Sequence, residues 1–382
     1  MTEALQPDGD GDAAAPSGGR GLRTPAAYGR AFRVLFVVFL YYLASLAVLD
    51  AFMGRWAMGD NWRKSRFNRV VHYTAERPFA YRVLTPWLIN TVSGSLPETW
   101  AAGLGERAEL LRERYGLRQG NDTAYFTGYL LLLASLLGTL VLWRALLRHF
   151  RFPPAWRDLA PPLLLLFYPV AFAKGGFVYD FPELFLASAA FLLFLRRSWW
   201  LYYPTFAVAI LNKESAALMA VWFLAAFTVD RRFGRLLAHA AASAAVGLPV
   251  LFAVRTHFAD SPGRPMSLNL RHNLEYLSNL GSYFTGADVY ATGLPVPQGL
   301  HLVNLVLLLV LVALSRRSAP PLVWWVFVDT VLVILPLFVA FGFEDELRVF
   351  APAFPALFLL AVFTLRQVYE ARAHCTDRLL ID

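Results

Sequence analysis

Four short words hold most of the reactive side chains that interrupt an otherwise apolar chain. They are RPFAYR (77–82), KGGFVYDFPE (174–183), NKES (212–215) and FEDELRVF (343–350). A charge at membrane depth costs on the order of 2.5–3.5 kcal/mol, so such groups pair with one another or line a polar cavity. Asp180 and Glu183 place two carboxylates three residues apart at the start of an apolar run, with Pro182 between them. That spacing suits an N-cap with its capping box, and equally an acid pair for proton transfer. Lys174 precedes them on a Gly-Gly turn, and Lys213 sits in NKES.

The lysines stand out because the chain has only three, Lys64, Lys174 and Lys213, among 35 basic residues. A compact ammonium suits phosphate as a point charge. Arg77 and Arg82 flank PFAY, either as snorkelling interface anchors or as phosphate ligands. The acid-x-acid spacing of Glu344 and Glu346 offers oxygens to a hard divalent cation, with Arg348 balancing the charge. Asp50 closes the first apolar run and Asp60 follows ten residues on. The seven histidines show no H-E-x-x-H spacing, and there is no Walker A, G-x-S-x-G or G-x-G-x-x-G pattern. These absences argue against ATP-driven transport and serine hydrolysis.

The elements that must position these words are set by composition. Of 382 residues, 57% are apolar and only 16% charged, against roughly 25% charged in a soluble domain. Such a chain is not disordered, not a basic nucleic-acid-binding domain and not an ordinary cytosolic enzyme. The expected fold is all-α, a polytopic integral membrane protein. Ten apolar runs fall near 32–49, 123–143, 159–173, 182–195, 199–211, 215–229, 236–254, 300–314, 322–341 and 349–365. Residues 1–31 read as a disordered cytoplasmic tail, 32–365 as the membrane domain and 366–382 as a cytoplasmic tail. Cys375, the single cysteine, forms no internal disulfide.

Arginine placement sets the orientation. With the N-terminus inside and a hairpin at 212–215, the pairs Arg196-Arg197, Arg231-Arg232 and Arg316-Arg317 all lie on the inner side. Read instead as one long helix over 199–229, the chain would carry the later pairs outside, so the hairpin is favoured. The outer loops are then led by 51–122 and 255–299. Within the first, 82–92 reads as a short amphipathic interfacial helix and 103–118 as a solvated helix. The four words gather on this outer face, and Asp180, Lys213 and Arg348 are expected to line one cavity.

This pattern resembles the GT-C class of membrane glycosyltransferases, across about residues 32–365. The words RPFAYR, YDFPE and NKES also resemble a broad group of bacterial membrane proteins related to that class. The resemblance implies a bacterial inner-membrane enzyme that moves sugar from a polyprenyl-phosphate donor to an acceptor at the outer face. Its partners would be membrane lipids and that lipid-linked sugar, with no nucleic acid. By resemblance Asp50 or Asp60 is the catalytic base; by local physics Asp180 serves equally, supported by Glu183. Lys174, Lys213, Arg77, Arg82 and Arg348 would hold the departing phosphate. A transporter or lipid-linked glycan flippase, or a non-catalytic subunit of an envelope-assembly complex, is the alternative.

The hairpin reading makes a topological prediction. Cysteines placed at Arg197 and Arg317 stay shielded from an impermeant thiol reagent on intact cells, and one at Gly293 is labelled. Labelling at 317 but not at 293 refutes the hairpin.

Overall fold

A computed structural model describes residues 25–60, 62–117, 122–285, 287–289 and 295–379. Residues 1–24 and 380–382 of the two expected tails, and Gly293, lie outside the described residues. Helix dominates. In chain order the helices are α1 (Pro25–Trp56), α2 (Phe67–Val71), α3 (Leu84–Gly94), α4 (Glu98–Tyr115) and α5 (Asp122–His149). Next come α6 (Pro154–Leu165), α7 (Asp180–Leu195), α8 (Trp199–Asn212), α9 (Trp222–Asp230) and α10 (Phe233–His257). The last are α11 (Leu270–Ser278), α12 (Ser282–Thr285), α13 (Leu302–Ser318), α14 (Pro321–Phe341) and α15 (Phe354–Leu379). The strands β1 (Ala287–Val289) and β2 (Pro295–Pro297) pair antiparallel.

The chain divides into Met1–Phe39 and Leu40–Asp382. In the first unit the described residues form the opening of α1, where the Phe32 and Phe36 rings stack at 6.3 Å. This helix starts at Pro25, inside the stretch expected to be a tail. At the other end α15 continues to Leu379, so most of 366–382 is helical as well.

Each of the ten apolar runs becomes helical, but the helices are unequal. Among the described residues, five segments are long and apolar enough to cross a membrane: Gly29–Gly59, Thr123–His149, Phe233–His257, Pro321–Phe341 and Leu347–Ala371. The other runs give α6, α7, α8, α9 and α13, of 12, 16, 14, 9 and 17 residues. At ~1.5 Å per residue these fall short of a ~30 Å hydrocarbon layer. The reason is visible in α7, whose faces are buried in protein: Phe181, Leu184, Ala187, Phe191 and Phe194 are all inside. A helix apolar all round is a core helix when protein surrounds it.

Within the second unit α7 packs between α5, α8 and α15. Trp143 of α5 donates its indole N–H to Ser188 of α7 at 3.0 Å and stacks on Phe358 of α15 at 4.2 Å. The expected hairpin is present as a chain reversal. Helix α8 ends at Asn212, Lys213 is extended (φ −161°, ψ 132°), and a 3₁₀ stretch Glu214–Val221 leads into α9. Tyr202 then donates to the Met219 carbonyl at 3.3 Å, and the Trp199 and Phe223 rings lie 5.6 Å apart. The loop 51–122 contains α3 and α4, and α4 packs along α5.

A glycine just beyond the first helix packs closely against the segment before α7. Gly59 has φ +86°, and a Cβ there would lie 2.5 Å from the Phe177 ring. Gly59→Ala should therefore cost about 2 kcal/mol or more, from left-handed strain plus overpacking. Thermal unfolding of the purified variant checks this, with Gly103→Ala, at an open position, as the control.

Candidate functional site

The site forms where helices break. The segment between Phe172 and α7 turns at Gly175 (φ +104°) and presents Phe177 and Tyr179 with their rings stacked at 5.4 Å. Asp180 opens α7 with its carboxylate turned back, so that Oδ2 accepts from the Phe177 amide at 2.8 Å. Asp180 is thus the first helical residue rather than the N-cap, and Tyr179 occupies the cap position without a side-chain bond. The expected capping box does not form, because both carboxylates are drawn to cations.

Those cations come from the other two breaks. Lys213 Nζ lies 2.6 Å from Glu183 Oε2 and 3.4 Å from Asp180 Oδ1. Arg348 enters from the 3₁₀ stretch Leu347–Ala353, and its Nη1 donates to Asp180 Oδ2 at 2.8 Å. Its Nη2 pairs with Glu346. Ser215 donates to Glu183 Oε1 at 2.7 Å. Asp180, Glu183, Lys213 and Arg348 are all at most 3% exposed. Two acids and two bases thus neutralise one another inside the protein.

The fourth word joins through backbone and amide contacts. Arg82 follows the 3₁₀ turn Phe79–Tyr81, and the Val83 amide donates to the Leu211 carbonyl at 2.9 Å. Thr85 donates to Asn212 Oδ1 at 2.6 Å, and Asn212 Nδ2 donates to the Tyr179 carbonyl at 2.9 Å. Arg82 lies over the Tyr179 ring at 4.2 Å, while Arg348 lies over Phe177 at 4.2 Å.

A cavity of about 610 Å³ opens in front of this cluster. Its polar side carries Lys64, Arg77, Arg82, Lys213, Arg255 and Arg264 against Glu76, Glu214 and Glu346. Its apolar side is built from Leu218 and from Ile334, Leu337, Phe338 and Phe341 of α14. The cations outnumber the acids, so the cavity favours an anion beside an apolar body. Two facing groups are incompletely bonded. Arg82 Nε and Nη1 and Glu214 Oε2 are buried without a hydrogen-bond partner, with Arg82 Nε 3.8 Å from that oxygen. Buried polar atoms left this way in a cavity are what a polar ligand satisfies.

The remaining sequence candidates are distributed differently. Asp50 accepts from Arg114 at 2.7 Å and Tyr115 at 2.6 Å, both from α4. Asp60 is buried at the end of the 3₁₀ turn Ala57–Gly59. Neither lines the cavity. Arg77 lines it but spends its donors on backbone: its amide on Pro262, Nε on Gly263 and Nη1 on Ala259, at 2.7, 3.1 and 2.8 Å. Lys174 is paired with Glu344 at 2.6 Å, and His272 reaches the other oxygen of Glu344 at 3.1 Å. Burial raises the Glu344 carboxyl, but the bonds and charges of Lys174 and His272 outweigh it and hold the group below its ordinary value. The neighbouring Asp345 is pushed up by burial.

Glu344 and Glu346 therefore each serve a cation of the chain rather than sharing one site. Among the described residues no group of three or more His, Cys, Asp or Glu side chains is disposed to hold a metal ion. Glu214 reads from the sequence as a charge partner of Lys213 at the hairpin tip, whereas in the structure it faces Arg82 across the cavity. The signal was its place beside Lys213 at the helix break.

Removing one member of the buried cluster leaves its partner charged and alone, which costs ~3–5 kcal/mol. Arg348→Ala and Lys213→Ala should each destabilise the protein by that order, measured by unfolding in detergent. Asp50→Asn, on a half-exposed pair, should shift stability by under ~1 kcal/mol. No family model, curated protein or solved structure matches this chain, so its geometry carries the functional reading.

Proposed function

We propose that this chain is a GT-C-like membrane glycosyltransferase, which moves a sugar from a polyprenyl-phosphate-linked donor to an acceptor hydroxyl at the extracytoplasmic face. The observation that carries the reading is the cavity in which buried Arg82 and half-buried Glu214, both incompletely bonded, face each other beside Lys213, against an apolar wall from α14. A lipid phosphate needs both halves: cations for the headgroup and an apolar surface for the first isoprene units. In this reading the chain crosses a bacterial inner membrane in ten segments, the shorter helices among them, with both termini cytoplasmic. The arginine-rich connections support that orientation.

In the proposed reaction the acceptor oxygen attacks the anomeric carbon. The bond from that carbon to the phosphate oxygen breaks, and its electron pair leaves with the lipid phosphate. Glu214 takes the acceptor proton, and Arg82 and Lys213 stabilise the charge that grows on the phosphate. Asp180 and Glu183, sealed at the back, hold Lys213 and Arg348 in place and do not touch substrate. The departure from the sequence reading is thus in the base: the cavity carboxylate Glu214 replaces Asp50, Asp60 and Asp180.

The test supplies labelled lipid-linked sugars to the purified protein and follows both transfer and donor retention. Glu214→Gln should cut turnover by ~10²–10⁴-fold with donor retention kept, as expected for a lost general base. Arg82→Ala should weaken donor retention as well, and Asp50→Asn should transfer at close to the parental rate. Wild-type-like transfer by Glu214→Gln removes it as the base. Movement of labelled lipid across a bilayer without any glycosyl product supports the flippase alternative.

A further inference from the structure

At the opposite end of the α8–α9 hairpin from Lys213 lies a second cavity, of about 270 Å³, that the proposed reaction does not use. Two helices begin at it. Helix α8 starts at Trp199 and α10 at Phe233; neither has a side-chain cap or an acid in its first turn. Their free amide groups make both ends partly positive. Arg197, Arg232 and Arg235 add three guanidiniums at the same mouth. The one carboxylate there, Asp230, lies 3.8 Å from both Arg197 and Arg235, too far for a hydrogen bond to either. The excess charge is therefore positive.

The floor is aromatic and held in place. The His239 ring lies parallel to Phe223 at 4.4 Å (6° between planes) and 4.4 Å from Trp199. Its Nδ1 is 2.7 Å from the Tyr203 hydroxyl. Beside the mouth α10 presents Phe233 and Leu237, 60% and 54% exposed. Only 11% of the apolar stretch of α10 is buried within the protein. A free anion has use for the cations but none for this apolar flank. An acidic peptide is likewise poorly matched to a helix whose exposed residues between 236 and 254 are apolar.

We infer that this cavity binds the headgroup of an anionic glycerophospholipid, with its phosphate at the arginines and its acyl chains along α10. Basic pockets between membrane helices take such headgroups, and each nearby arginine contributes to their retention. The inference draws only on the membrane-embedded character of the chain and stands apart from the identity of the reaction. Bound lipid would also cover the start of α10 and tie it to α8 and α9.

Native mass spectrometry of the full chain, released from bilayers of equal phosphatidylglycerol and phosphatidylcholine, tests it. One phosphatidylglycerol should be retained in preference to phosphatidylcholine. Arg232→Gln with Arg235→Gln should lower that retention roughly ten-fold or more, and the lysine pair Arg232→Lys with Arg235→Lys should keep most of it. Arg316→Gln with Arg317→Gln, another basic pair outside this cavity, should leave it unchanged. Equal retention of the two lipids, or equal loss from both glutamine pairs, overturns the proposal. Displacement by millimolar inorganic phosphate assigns the site to a free anion, and recovery of a bound acidic peptide assigns it to a protein partner; either also overturns it.

Discussion

The structure depends on one constraint: four charges, Asp180, Glu183, Lys213 and Arg348, are buried together and must meet in good geometry. Each costs several kcal/mol to remove from water, and only close pairing with further hydrogen bonds offsets this. The Phe177 amide, Ser215 and Glu346 supply those bonds. The charges arrive from three different chain breaks: the start of α7, the end of α8 and the 3₁₀ stretch before α15. Helices that must deliver a charge to the interior have to end there. This accounts for the short α7 and α8 beside the long α5 and α14.

The same arrangement divides the charged groups into two kinds. Behind Lys213 the charges are paired and sealed, although Arg348 Nε is left without a hydrogen-bond partner, and they hold the breaks together. In front of it Arg82 and Glu214 face a cavity with bonds to spare. A rigid back and an unsatisfied front are what a site needs to hold its ligand groups without reorganising them. Lys213 belongs to both, since it lines the cavity and closes the buried cluster.

Much of this was legible in the sequence because charges are conspicuous in so apolar a chain. The convergence of RPFAYR, YDFPE, NKES and ELR follows from the cost of leaving such groups apart in a membrane. The break at 212–215 was legible for the same reason. What could not be read was which cation serves which acid. Arg77 is occupied by carbonyls of 259–263, a segment more than 180 residues away in the chain, and no local pattern encodes that pairing. Lys174 likewise meets Glu344 only through the fold. Which faces of the shorter helices meet protein was not legible either, because hydropathy does not distinguish a surface of lipid from one of protein, as the buried faces of α7 demonstrate. The arginines at 197, 232 and 235 were read for orientation alone, and only the fold assembles them around Trp199 and His239.

The stacked rings of Phe177 and Tyr179 have a mechanical consequence. One guanidinium rests on each ring, Arg348 on the first and Arg82 on the second. The two arginines therefore bear on one stacked pair of rings. The arginine that faces the cavity and the arginine that grips Asp180 are thus only two ring thicknesses apart, so the wall of the cavity and the buried charges are parts of one packed unit.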